Sequence, residues 1–538
     1  MSAVTVAAPS VVGVAGAGTM GAGIAQLACL AGARTLLHDP DSDALERGLA
    51  QIRGHLERGG ARGRWSAEEA EAAAAHLEAA PALEDLAPSD LVIEAAPERL
   101  PIKQELFAAL SEGIVGEDCV LATNTSSLLV TAVAAAARGP ERVVGMHFFN
   151  PAPLMRLLEV VAGVRSGEQA LAVARAAGQA MGKVVIDAGD GPGFLVNRCN
   201  RPFGLESLRL LQEQVATVPE IDRCVRMGGG FRMGPFELMD LVGVDVGLDV
   251  ARSFYEQSFG EPRWRPSPIS VKTVASGATG RKSGRGFYDY ASGTERYREP
   301  DPDPLPVGGG EGIVVIAGST TMADELREAA AQADWDVVLP EQAGDRQPPY
   351  LILDAGGDED LDAPLQGGPQ AVCCSGGSLS ALDPAGGAVG FHVLPPLAEA
   401  QLVELTRAPD SSQAAVRAVE RFFSTLGKHT IWVGDGPGLV LGRIVCQVIN
   451  EAAFALGEGV GSAHDIDAGM VHGLNYPRGI LAWADEIGLD HVLSVLQALH
   501  EELGDERYRA APALRRLARS GRLGRPTGEG FFLYGDAA

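Results

Sequence analysis

A short strand, a glycine-rich turn and a helix stand near the start of the chain and constrain its fold most strongly. The apolar run Val11–Ala15 ends in the turn GAGTMG (residues 16–21), and the helical pattern AGIAQLACLAGA follows. In such a turn the glycines let the backbone approach a pyrophosphate, which binds at the positive end of the helix dipole. The order predicts a nucleotide-binding unit, although a G-x-G-x-x-G turn alone also occurs as an ordinary structural turn.

Further apolar runs predict the rest of a sheet. They cover residues 35–38, 91–93, 120–121 and 143–146. Because these runs alternate with helical segments, they predict a parallel, doubly wound sheet. Asp39 ends the first of them, 18 residues after Gly21, where an acid bonds the ribose hydroxyls of a dinucleotide. Since Asp39 would repel a 2′-phosphate, NAD is favoured over NADP.

Beyond about residue 187, long helical stretches such as 194–213 and 235–257 predict an all-α domain. A segment rich in proline and glycine then predicts a linker. After it the chain repeats itself: DGPG at 190–193 returns 245 residues later, and GRKSGRGFYDY (280–290) returns as GRPTGEGFFLY (524–534). This period is too long for a solenoid and indicates a duplication.

The front of the second half is a degenerate copy of the first. Residues 313–326, IVVIAGSTTMADEL, match residues 11–24, but Thr320 and Ala323 stand where the first copy has its second and third glycines. This copy is also about sixty residues shorter. This copy is therefore predicted to form a sheet that no longer binds the cofactor. We therefore expect an NAD-binding Rossmann domain (1–187), an all-α domain (188–292), a linker (293–311), a reduced Rossmann-like domain (312–430) and a second all-α domain (431–538).

Composition excludes several classes of protein. The chain carries 44 Lys and Arg against 70 Asp and Glu, a net charge of −26, which repels a nucleic-acid backbone. Its longest nearly apolar run, residues 128–137, is half of the ~20 residues that cross a bilayer. No basic residue precedes Arg34, so the basic region of a signal peptide is missing and we expect a cytoplasmic protein. The seven cysteines, without a C-x-x-C, predict reduced, buried thiols and no metal site.

Two polar segments follow predicted strands, TNTSSL (123–128) and HFFNP (147–151), at the carboxyl edge where such sheets bind ligands. Glu159 follows His147 by twelve residues in the apolar context LLEVV, where an unpaired carboxylate is costly. A His–Glu pair suits removal of a hydroxyl proton while hydride leaves the same carbon. A satisfied core histidine is the competing interpretation. No tyrosine has a lysine four residues later, which excludes short-chain dehydrogenase chemistry.

Together with DGPGFLVNR at 190–198, these motifs resemble the L-3-hydroxyacyl-CoA dehydrogenase family. The resemblance is strong over residues 11–290 and continues as the degenerate copy. It implies a reversible, NAD-dependent oxidation of an L-3-hydroxyacyl-CoA to its 3-oxo form. It also implies that His147 is the catalytic base with Glu159 as its partner, and that Ser126 and Asn197 bond the 3-oxygen and carbonyl region of the substrate.

The resemblance further implies a set of NAD contacts: Gly16, Gly18, Thr19, Met20, Gly21, Asp39, Glu98, Lys103, Asn150 and Lys282. Solvated charges are the alternative for the two lysines. In this family a basic segment after the second strand holds the CoA phosphates, and here the candidates are Arg53, Arg58, Arg62 and Arg64. A solvated helix face is the alternative for these arginines.

In the second copy His392 and Glu404 keep the spacing of twelve, which predicts an intact His–Glu pair. However, Gly442 replaces Asn197, and Pro395 and Pro526 replace Asn150 and Lys282, while no counterpart of Ser126 is recognisable. Since such a pair has no hydride acceptor, the second half is predicted to be structural. Its helical module is expected to pair with the first one, either within one chain as a pseudo-dimer or in a homodimer.

The acyl group is the least determined feature. The length and the reduced second copy resemble the branch that oxidises 3-hydroxyadipyl-CoA in phenylacetate breakdown. A terminal carboxylate needs a cation or several amide donors, and the candidate cations are Arg156, Arg198, Arg201 and Arg232. A surface or helix-capping arginine is the alternative interpretation for each of them. The alternatives are a general short-chain 3-hydroxybutyryl-CoA dehydrogenase of fatty-acid metabolism and β-oxidation, a dehydrogenase of free β-hydroxy acids that uses a lysine, and a catalytically silent NADH-binding structural protein.

Overall fold

The computed structural model describes residues 6–291, 298–343, 348–356 and 367–535. The chain divides into two compact units, which do not follow the order of the sequence. One unit contains Met1–Arg198 and Glu458–Leu474, and the other contains Cys199–Gly457 and Asn475–Ala538. The five-part division predicted from the sequence stays a prediction.

The first unit is built on an eight-stranded sheet. Its strands are β1 (Val11–Ala15), β2 (Arg34–His38), β3 (Leu77–Ala79), β4 (Leu91–Glu94), β5 (Val120–Thr123), β6 (Val143–Phe148), β7 (Leu157–Ala162) and β8 (Val184–Gly189). The spatial order is β3-β2-β1-β4-β5-β6-β7-β8, and the first six are parallel. The predicted α/β sheet is confirmed, but β7 and β8 run antiparallel to the rest and were not anticipated.

The helices of the first unit flank this sheet. They are Thr19–Leu30, Ser42–Ala61, Ala67–Ala75, Leu100–Ala109, Val130–Ala134, Glu168–Ala180, Val196–Cys199 and, from far along the chain, Ala463–Leu474, with short helical turns at Leu83–Leu86, Leu110–Ile114 and Pro140–Arg142. The segment before Ala463–Leu474 extends the edge of the sheet, because the Gly189 N–H donates to the Val460 carbonyl at 2.7 Å. A Cβ on Gly473 would lie 2.6 Å from Leu157, so glycine permits this close packing. A segment of the second helical module therefore completes the first unit.

The second unit contains a smaller sheet of seven strands. They are β9 (Ile313–Ala317), β10 (Asp336–Val338), β11 (Leu351–Asp354), β12 (Gln370–Cys373), β13 (Val389–His392), β14 (Leu402–Arg407) and β15 (His429–Trp432), in the order β10-β9-β11-β12-β13-β14-β15. Only β14 and β15 run antiparallel to the others. Between β10 and β11 the described residues form one short helix, Pro340–Ala343, where the first copy has two helices and β3. The predicted reduced sheet is confirmed, and this difference accounts for its shorter length.

The rest of the second unit is helical, as predicted. Its helices are Arg201–Gln212, Val218–Arg223, Pro235–Val242, Val244–Gln257, Pro268–Ala275, Thr321–Gln332, Pro340–Ala343, Leu379–Leu382, Gln413–Thr425, Leu441–Gly457, Ile480–Ile487, Leu489–Leu503 and Pro512–Arg519, with short helical turns at Cys224–Gly228, Pro262–Trp264, Arg281–Ser283, Glu506–Tyr508 and Arg525–Thr527. The stretch predicted over 235–257 is interrupted at Gly243, whose φ of +109° ends one helix and begins the next.

The repeated terminal signature has a common physical cause in both copies. Asp240 accepts hydrogen bonds from the backbone N–H groups of Phe287 and Tyr288, and Asp485 accepts the equivalent pair in the second copy. A Cβ on Gly286 would lie 2.0 Å from the Asp240 carboxylate. The glycine–aromatic pattern is therefore kept because a buried carboxylate binds this backbone turn.

The described part of the predicted linker, from residue 298 onward, contains no helix and no strand longer than a single bridge. Residues 292–297 lie outside the described residues. The linker is nevertheless attached to the helices of its own unit, because Asp301 accepts two hydrogen bonds from the Arg226 guanidinium at 2.9 and 2.7 Å. Such a two-pronged contact is among the stronger polar interactions in proteins.

All seven cysteines lie within the described residues as free thiols, and all are buried, as predicted. Across the described ranges, no helix combines the length and the apolar character that a membrane span needs.

A buried polar network joins the two duplicated long helices, Arg201–Gln212 and Leu441–Gly457. The Arg443 Nε donates to Glu206 at 2.5 Å, and one Nη donates to the Tyr508 hydroxyl at 2.8 Å. That hydroxyl in turn donates to Glu206 at 2.7 Å, while the other Nη donates to Glu213. Glu206 and Arg443 are 3% and 2% exposed, so removing one partner leaves a buried charge uncompensated.

We expect Arg443→Met to lower the free energy of unfolding by about 3–5 kcal/mol, because Glu206 is left buried without its cation. The double variant Arg443→Met with Glu206→Leu should recover much of this loss, since it removes both charges. Arg209→Gln, which breaks the more exposed pair with Glu213, is the matched control and should cost less than about 1 kcal/mol. Urea unfolding followed by circular dichroism measures all three. Equal losses for Arg443→Met and Arg209→Gln would contradict the proposed importance of the buried network.

Candidate active site

The glycine turn after β1 forms an open cradle at the start of helix Thr19–Leu30. A Cβ on Gly21 would lie 1.8 Å from the Gly16 carbonyl oxygen, so this glycine is required by the packing of the turn itself. A Cβ on Gly18 would meet nothing within 4 Å, and no side chain caps the helix that it precedes. The first N–H groups of the helix therefore face open space, which is the arrangement that binds a pyrophosphate.

A cavity of about 850 Å³ adjoins this cradle. Gly16, Gly18, Thr19, Met20 and Asp39 line it, as the sequence predicted for a dinucleotide. Its remaining wall is largely apolar and includes Pro40, Pro81, Leu83, Ile102 and Leu106. The residues present thus fit NAD: a bare backbone for the pyrophosphate, a carboxylate for the ribose and an apolar slot for the adenine.

Asp39 has a second role that sequence reasoning missed. Its Oδ2 accepts a hydrogen bond from the Ala17 N–H at 2.8 Å, and its Oδ1 accepts one from the Asp41 N–H at 3.0 Å. The acid that ends β2 therefore holds the glycine turn after β1. A contact between Asp39 and the ribose would come in addition to these structural hydrogen bonds.

In the equivalent turn of the second copy, nearby side chains form hydrogen bonds with the backbone N–H and carbonyl groups. The Thr320 hydroxyl accepts from the Ala323 N–H at 3.2 Å and donates to the Ala355 carbonyl at 3.0 Å. The Arg327 guanidinium donates to the carbonyl oxygens of Ile316 and Gly318. The helix N-terminus that is open in the first copy is therefore capped from within the chain.

His147 and Glu159 are directly opposite each other in the sheet. They lie on the antiparallel strands β6 and β7 and are paired in register, which explains why the spacing of twelve brings them together. The His147 Nδ1 lies 2.6 Å from Glu159 Oε2, and the other carboxylate oxygen accepts from the N–H groups of Leu195 and Val196 at 3.1 and 2.9 Å. Since Glu159 is fully buried and accepts three hydrogen bonds, the geometry assigns the proton to Nδ1 and leaves Nε2 as an acceptor.

A second cavity of about 310 Å³ brings the predicted catalytic residues together. Ser126, His147, Asn150 and Asn197 all line it, together with Glu98. Met20, Ala95 and Ala96 line both this cavity and the larger one, so the two are adjacent. The phenyl rings of Phe149 and Phe194 pack around the His147 ring, with centroids 4.7 and 5.7 Å away. The cavity that fits a dinucleotide therefore lies next to the cavity that contains the imidazole.

Glu98 organises the loop that carries Ser126. Its Oε1 accepts from the Thr125 hydroxyl at 2.6 Å and from the backbone N–H groups of Ser126 and Ser127 at 2.9 and 3.1 Å. Although burial opposes ionisation, the Thr125 hydroxyl and the Lys103 ammonium hold the pKa of Glu98 below its ordinary value. The position of Ser126 thus depends on an ionised Glu98.

Lys103 is not a solvated charge. Its side chain is 1% exposed, and its Nζ donates to Glu94 at 2.6 Å and lies 3.2 Å from Glu98 Oε2. The predicted direct contact with NAD does not fit this position, because the ammonium is enclosed behind the two carboxylates. Glu94 was missed by sequence reasoning, although a glutamate at the end of a buried strand was a signal for a buried partner.

Lys282, the other predicted lysine, belongs to the second unit. Its half-exposed ammonium forms an ion pair with Asp245 at 2.7 Å. That contact holds the short helical turn Arg281–Ser283 against the start of helix Val244–Gln257.

The predicted basic segment is only partly brought together. Arg58, Arg62 and Arg64 line one cavity of about 370 Å³, with His55 and Trp65, at the end of helix Ser42–Ala61. Arg53, which was predicted with them, is exposed and does not line this cavity. All three side chains are exposed, so they border a cavity at the surface, and the solvated helix face stays the alternative interpretation.

The predicted His392–Glu404 pair of the second copy is wrong. The two residues remain in register on β13 and β14, and Glu404 still accepts from the N–H groups of Val440 and Leu441 at 2.7 and 2.9 Å. Among the described residues, however, the buried His392 Nδ1 has no hydrogen-bond partner, and Nε2 faces the His491 Nε2 at 3.1 Å.

Gly442 is the physical reason for this change. A Cβ on Gly442 would lie 2.2 Å from the His392 ring, so the ring occupies the space that an asparagine side chain would need. Burial lowers the pKa of His392 well below its usual value and that of His491 to about 4, so both rings are neutral. This histidine is therefore a core residue.

The structure also identifies the counterpart of Ser126, which sequence reasoning did not find. Asp190 accepts from the N–H groups of Val130 and Thr131, and its repeat Asp435 accepts from those of Leu379 and Ser380. This shared contact, which the pairing of β12 with β13 supports, places Ser375 at the position of Ser126. An insertion or deletion between the strands had hidden the correspondence.

Comparison with known proteins agrees with this geometry. The family model described as 3-hydroxyacyl-CoA dehydrogenase, NAD binding domain, matches residues 11–191, and the corresponding C-terminal domain model matches residues 193–290 and again 438–534. The chain is 36% identical over 508 residues to the 3-hydroxyadipyl-CoA dehydrogenase of Escherichia coli (strain K12), covering 94% of this chain and 97% of that protein.

Two further relatives have other names. A probable 3-hydroxybutyryl-CoA dehydrogenase of Bacillus subtilis (strain 168) is 38% identical, covering 52% of this chain and 97% of its own length. The crystal structure of a 3-hydroxybutyryl-CoA dehydrogenase from Escherichia coli K12 superposes with a TM-score of 0.79 at 34% identity, covering 95% of this chain and 99% of that one. The chain belongs to the 3-hydroxyacyl-CoA dehydrogenase family, whose members oxidise 3-hydroxyacyl-CoA with NAD.

Proposed function

We propose that the chain oxidises 3-hydroxyadipyl-CoA, with His147 as the base and Glu159 as its partner. The single observation that supports these roles best is the 2.6 Å contact between His147 Nδ1 and the buried Glu159 carboxylate, beside a cavity lined by Ser126 and Asn197. A core histidine with both nitrogens bonded inside the protein, as the sequence allowed, would not line such a cavity.

In this mechanism His147 Nε2 removes the proton of the substrate hydroxyl. The positive charge that then develops on the imidazole is stabilised by the buried carboxylate of Glu159 at 2.6 Å. NAD bound in the adjacent cavity would supply the acceptor for the hydride of the same carbon. The Ser126 hydroxyl and the Asn197 amide hold the 3-oxygen and the neighbouring carbonyl, and in the reverse direction His147 returns the proton.

Glu159 also fixes the positions of two parts of the site, the His147 ring and the start of the helix that carries Asn197. Its second oxygen bonds the N–H groups of Leu195 and Val196, which precede Asn197 in the chain. One carboxylate therefore orients the imidazole and fixes the start of the helix that carries the substrate-binding amide. We infer that both functions contribute to turnover.

For the cofactor, we propose that the bare backbone at Gly16 and Gly18 and the helix start at Thr19 hold the pyrophosphate. Glu98 orients the loop with Ser126, and Lys103 acts through Glu98. Direct contacts of Asn150 and Lys282 with NAD stay proposals from the family resemblance.

We further propose that Arg58, Arg62 and Arg64 bind the phosphates of CoA. The cavity they share has three guanidinium groups, and these form paired hydrogen bonds with phosphate oxygens. The chain as a whole carries a net charge of −26, so a cluster of three arginines differs in charge from the protein as a whole.

The choice of 3-hydroxyadipyl-CoA is supported by the name of a relative that matches nearly the whole chain. We further propose a role in phenylacetate breakdown and a location in the cytoplasm. The alternative substrate is 3-hydroxybutyryl-CoA, because a relative that covers 52% of this chain and a solved structure that covers 95% of it bear that name.

We expect kcat/KM for 3-hydroxyadipyl-CoA to exceed that for 3-hydroxybutyryl-CoA by about tenfold or more, since a hydrogen bond to a charged group contributes about 1.5–3 kcal/mol. Steady-state reduction of NAD with both esters measures the ratio. A ratio of one or less would favour the short-chain alternative and leave the catalytic roles untouched.

His147→Ala should lower kcat by about 10²–10⁴-fold, because it removes proton transfer, and should leave the Kd for NADH nearly unchanged. His392→Ala is the matched control, since that ring contacts no reacting group, and should keep kcat within about threefold. Rapid-mixing kinetics and NADH fluorescence titration measure the two quantities. A His147→Ala enzyme that retained more than about a tenth of the wild-type rate would refute the assignment.

We expect one NADH to bind per chain, because the helix start after Thr320 is already capped. Gly18→Val places a side chain in the open space of the cradle without a clash in the protein, and should weaken NADH binding by about 10–100-fold. Thr320→Gly removes the capping hydroxyl of the second copy and should still leave the stoichiometry at one, because Ala323 stands where the first copy has Gly21 and Arg327 binds the carbonyl oxygens of this turn. Calorimetric titration that gave two NADH per chain would contradict the prediction.

A further inference from the structure

A segment of the second helical module packs beside the candidate active site. It comprises Glu458–Leu474 and belongs to the first unit. The segment begins at the edge of the first sheet, where the Gly189 N–H donates to the Val460 carbonyl at 2.7 Å. The Arg198 guanidinium forms an ion pair with Glu458 at 2.8 Å, so a second contact holds the start of the segment.

Two glycines of this segment face the residues whose backbone binds Glu159. A Cβ on Gly461 would lie 2.5 Å from the Leu195 side chain, and a Cβ on Gly469 would lie 2.6 Å from that of Val196. Both distances are well below van der Waals contact, so even a methyl group would displace its neighbour. The N–H groups of Leu195 and Val196 hold one oxygen of the Glu159 carboxylate. The two glycines therefore provide the space in which these N–H groups keep their positions.

A third glycine lies behind the ring that packs on His147. A Cβ on Gly473 would lie 3.5 Å from the Phe149 ring, at van der Waals distance. The ring centroids of Phe149 and His147 are 4.7 Å apart. All residues of the segment are described, and none of them lines either cavity of the candidate active site. The segment therefore supports both members of the His147–Glu159 pair from behind.

The second unit shows that packing of this kind does not require the two glycines that face Leu195 and Val196. The first helical module supplies the equivalent segment to the second sheet, where the Gly434 N–H donates to the Val215 carbonyl at 2.6 Å. At the same two points of the 245-residue repeat this module has Ala216 and Cys224, and both are buried. Glycine at these points is thus particular to the sheet that carries the His–Glu pair.

A compensating difference accompanies one of these glycines. The counterpart of Leu195 in the second unit is Val440, which has one methylene group fewer, while Ala216 has one methyl group more than Gly461. The two pairs therefore contain the same number of side-chain carbon atoms. The backbone at Gly461 is not left-handed, so the chain itself accepts alanine there and only the neighbouring space does not.

We propose that the second half of the chain contributes to catalysis through this segment, with Gly461 and Gly469 as positioning residues for Glu159. The proposal rests on the proposed function, in which Glu159 orients His147. It extends that function to the half of the chain that the sequence predicts to be structural. A misplacement of roughly 1 Å in a catalytic group lowers the rate by about 10²-fold, and a methyl group at either glycine requires a displacement of about this size.

The first test is Gly469→Ala, which places a methyl group against Val196. We expect kcat to fall by about 10–100-fold and the Kd for NADH to stay within about threefold, because the segment does not line the cofactor cavity. Since the chemical step becomes slower, the deuterium isotope effect on kcat with substrate deuterated at C3 should rise. The substrate is 3-hydroxyadipyl-CoA or 3-hydroxybutyryl-CoA, whichever the wild type oxidises faster.

Gly228→Ala is the matched control. A Cβ on Gly228 would lie 3.0 Å from Leu441, which is the counterpart of Val196 in the second unit. This variant therefore places the same methyl group against the equivalent residue of the copy without a His–Glu pair. It should keep kcat and the isotope effect within about twofold of the wild type, whatever it does to the melting temperature.

Gly461→Ala tests the other glycine and offers a rescue. Alone it should lower kcat by about tenfold or more. Combined with Leu195→Val it reproduces the pair Val440 and Ala216 of the second unit, restores the buried volume and should recover most of the lost rate. Thermal unfolding followed by circular dichroism establishes that each variant is folded at the assay temperature. The rescue keeps the test decisive if Gly469→Ala does not fold.

The outcomes separate the two proposals. An equal loss of kcat in Gly469→Ala and Gly228→Ala, or no loss in Gly469→Ala and Gly461→Ala, overturns the positioning role of the segment. A loss in Gly461→Ala that Leu195→Val does not recover overturns the role of that glycine. These results leave the proposed function standing, which fails only if the wild type oxidises neither ester or if His147→Ala keeps its rate.

Discussion

The buried carboxylate of Glu159 is the interaction on which the rest of the active site depends. It is fully buried and accepts three hydrogen bonds, from the His147 ring and from the backbone of Leu195 and Val196. A buried anion is tolerated only when its oxygens are bonded in this way. The same contacts that stabilise the charge therefore join β6 and β7 to the helix with Asn197, and the catalytic geometry follows from the folding requirement.

The second copy separates the structural part of this arrangement from the chemical part. Glu404 keeps both backbone contacts, at Val440 and Leu441, but His392 has turned toward His491. Burial raises the pKa of Glu404 to about 7, although the backbone N–H groups of Val440 and Leu441 act in the opposite direction. Duplication has thus preserved the anchor between strand and helix, which the fold needs, and has lost the imidazole contact, which only catalysis needs.

The two nucleotide turns differ in a similar way. In the first copy Gly18 leaves the helix N-terminus open, and in the second copy the Thr320 hydroxyl caps it. An open N-terminus leaves backbone N–H groups without partners unless a ligand provides them, whereas a capped one is complete alone. The cofactor site of this protein is therefore defined as much by missing side chains as by present ones.

The sequence alone determined the features that depend on neighbouring residues, namely the strand, turn and helix at residues 11–30, the duplication and the family. It also determined the His147–Glu159 pair, because antiparallel pairing turns a spacing of twelve residues into a direct contact. Only the tertiary structure decided that Lys103 is enclosed behind Glu98, that the His392 ring fills the space beside Gly442, and that residues 458–474 complete the first unit. These outcomes depend on which groups from distant segments share one buried space, and spacing along the chain does not specify that.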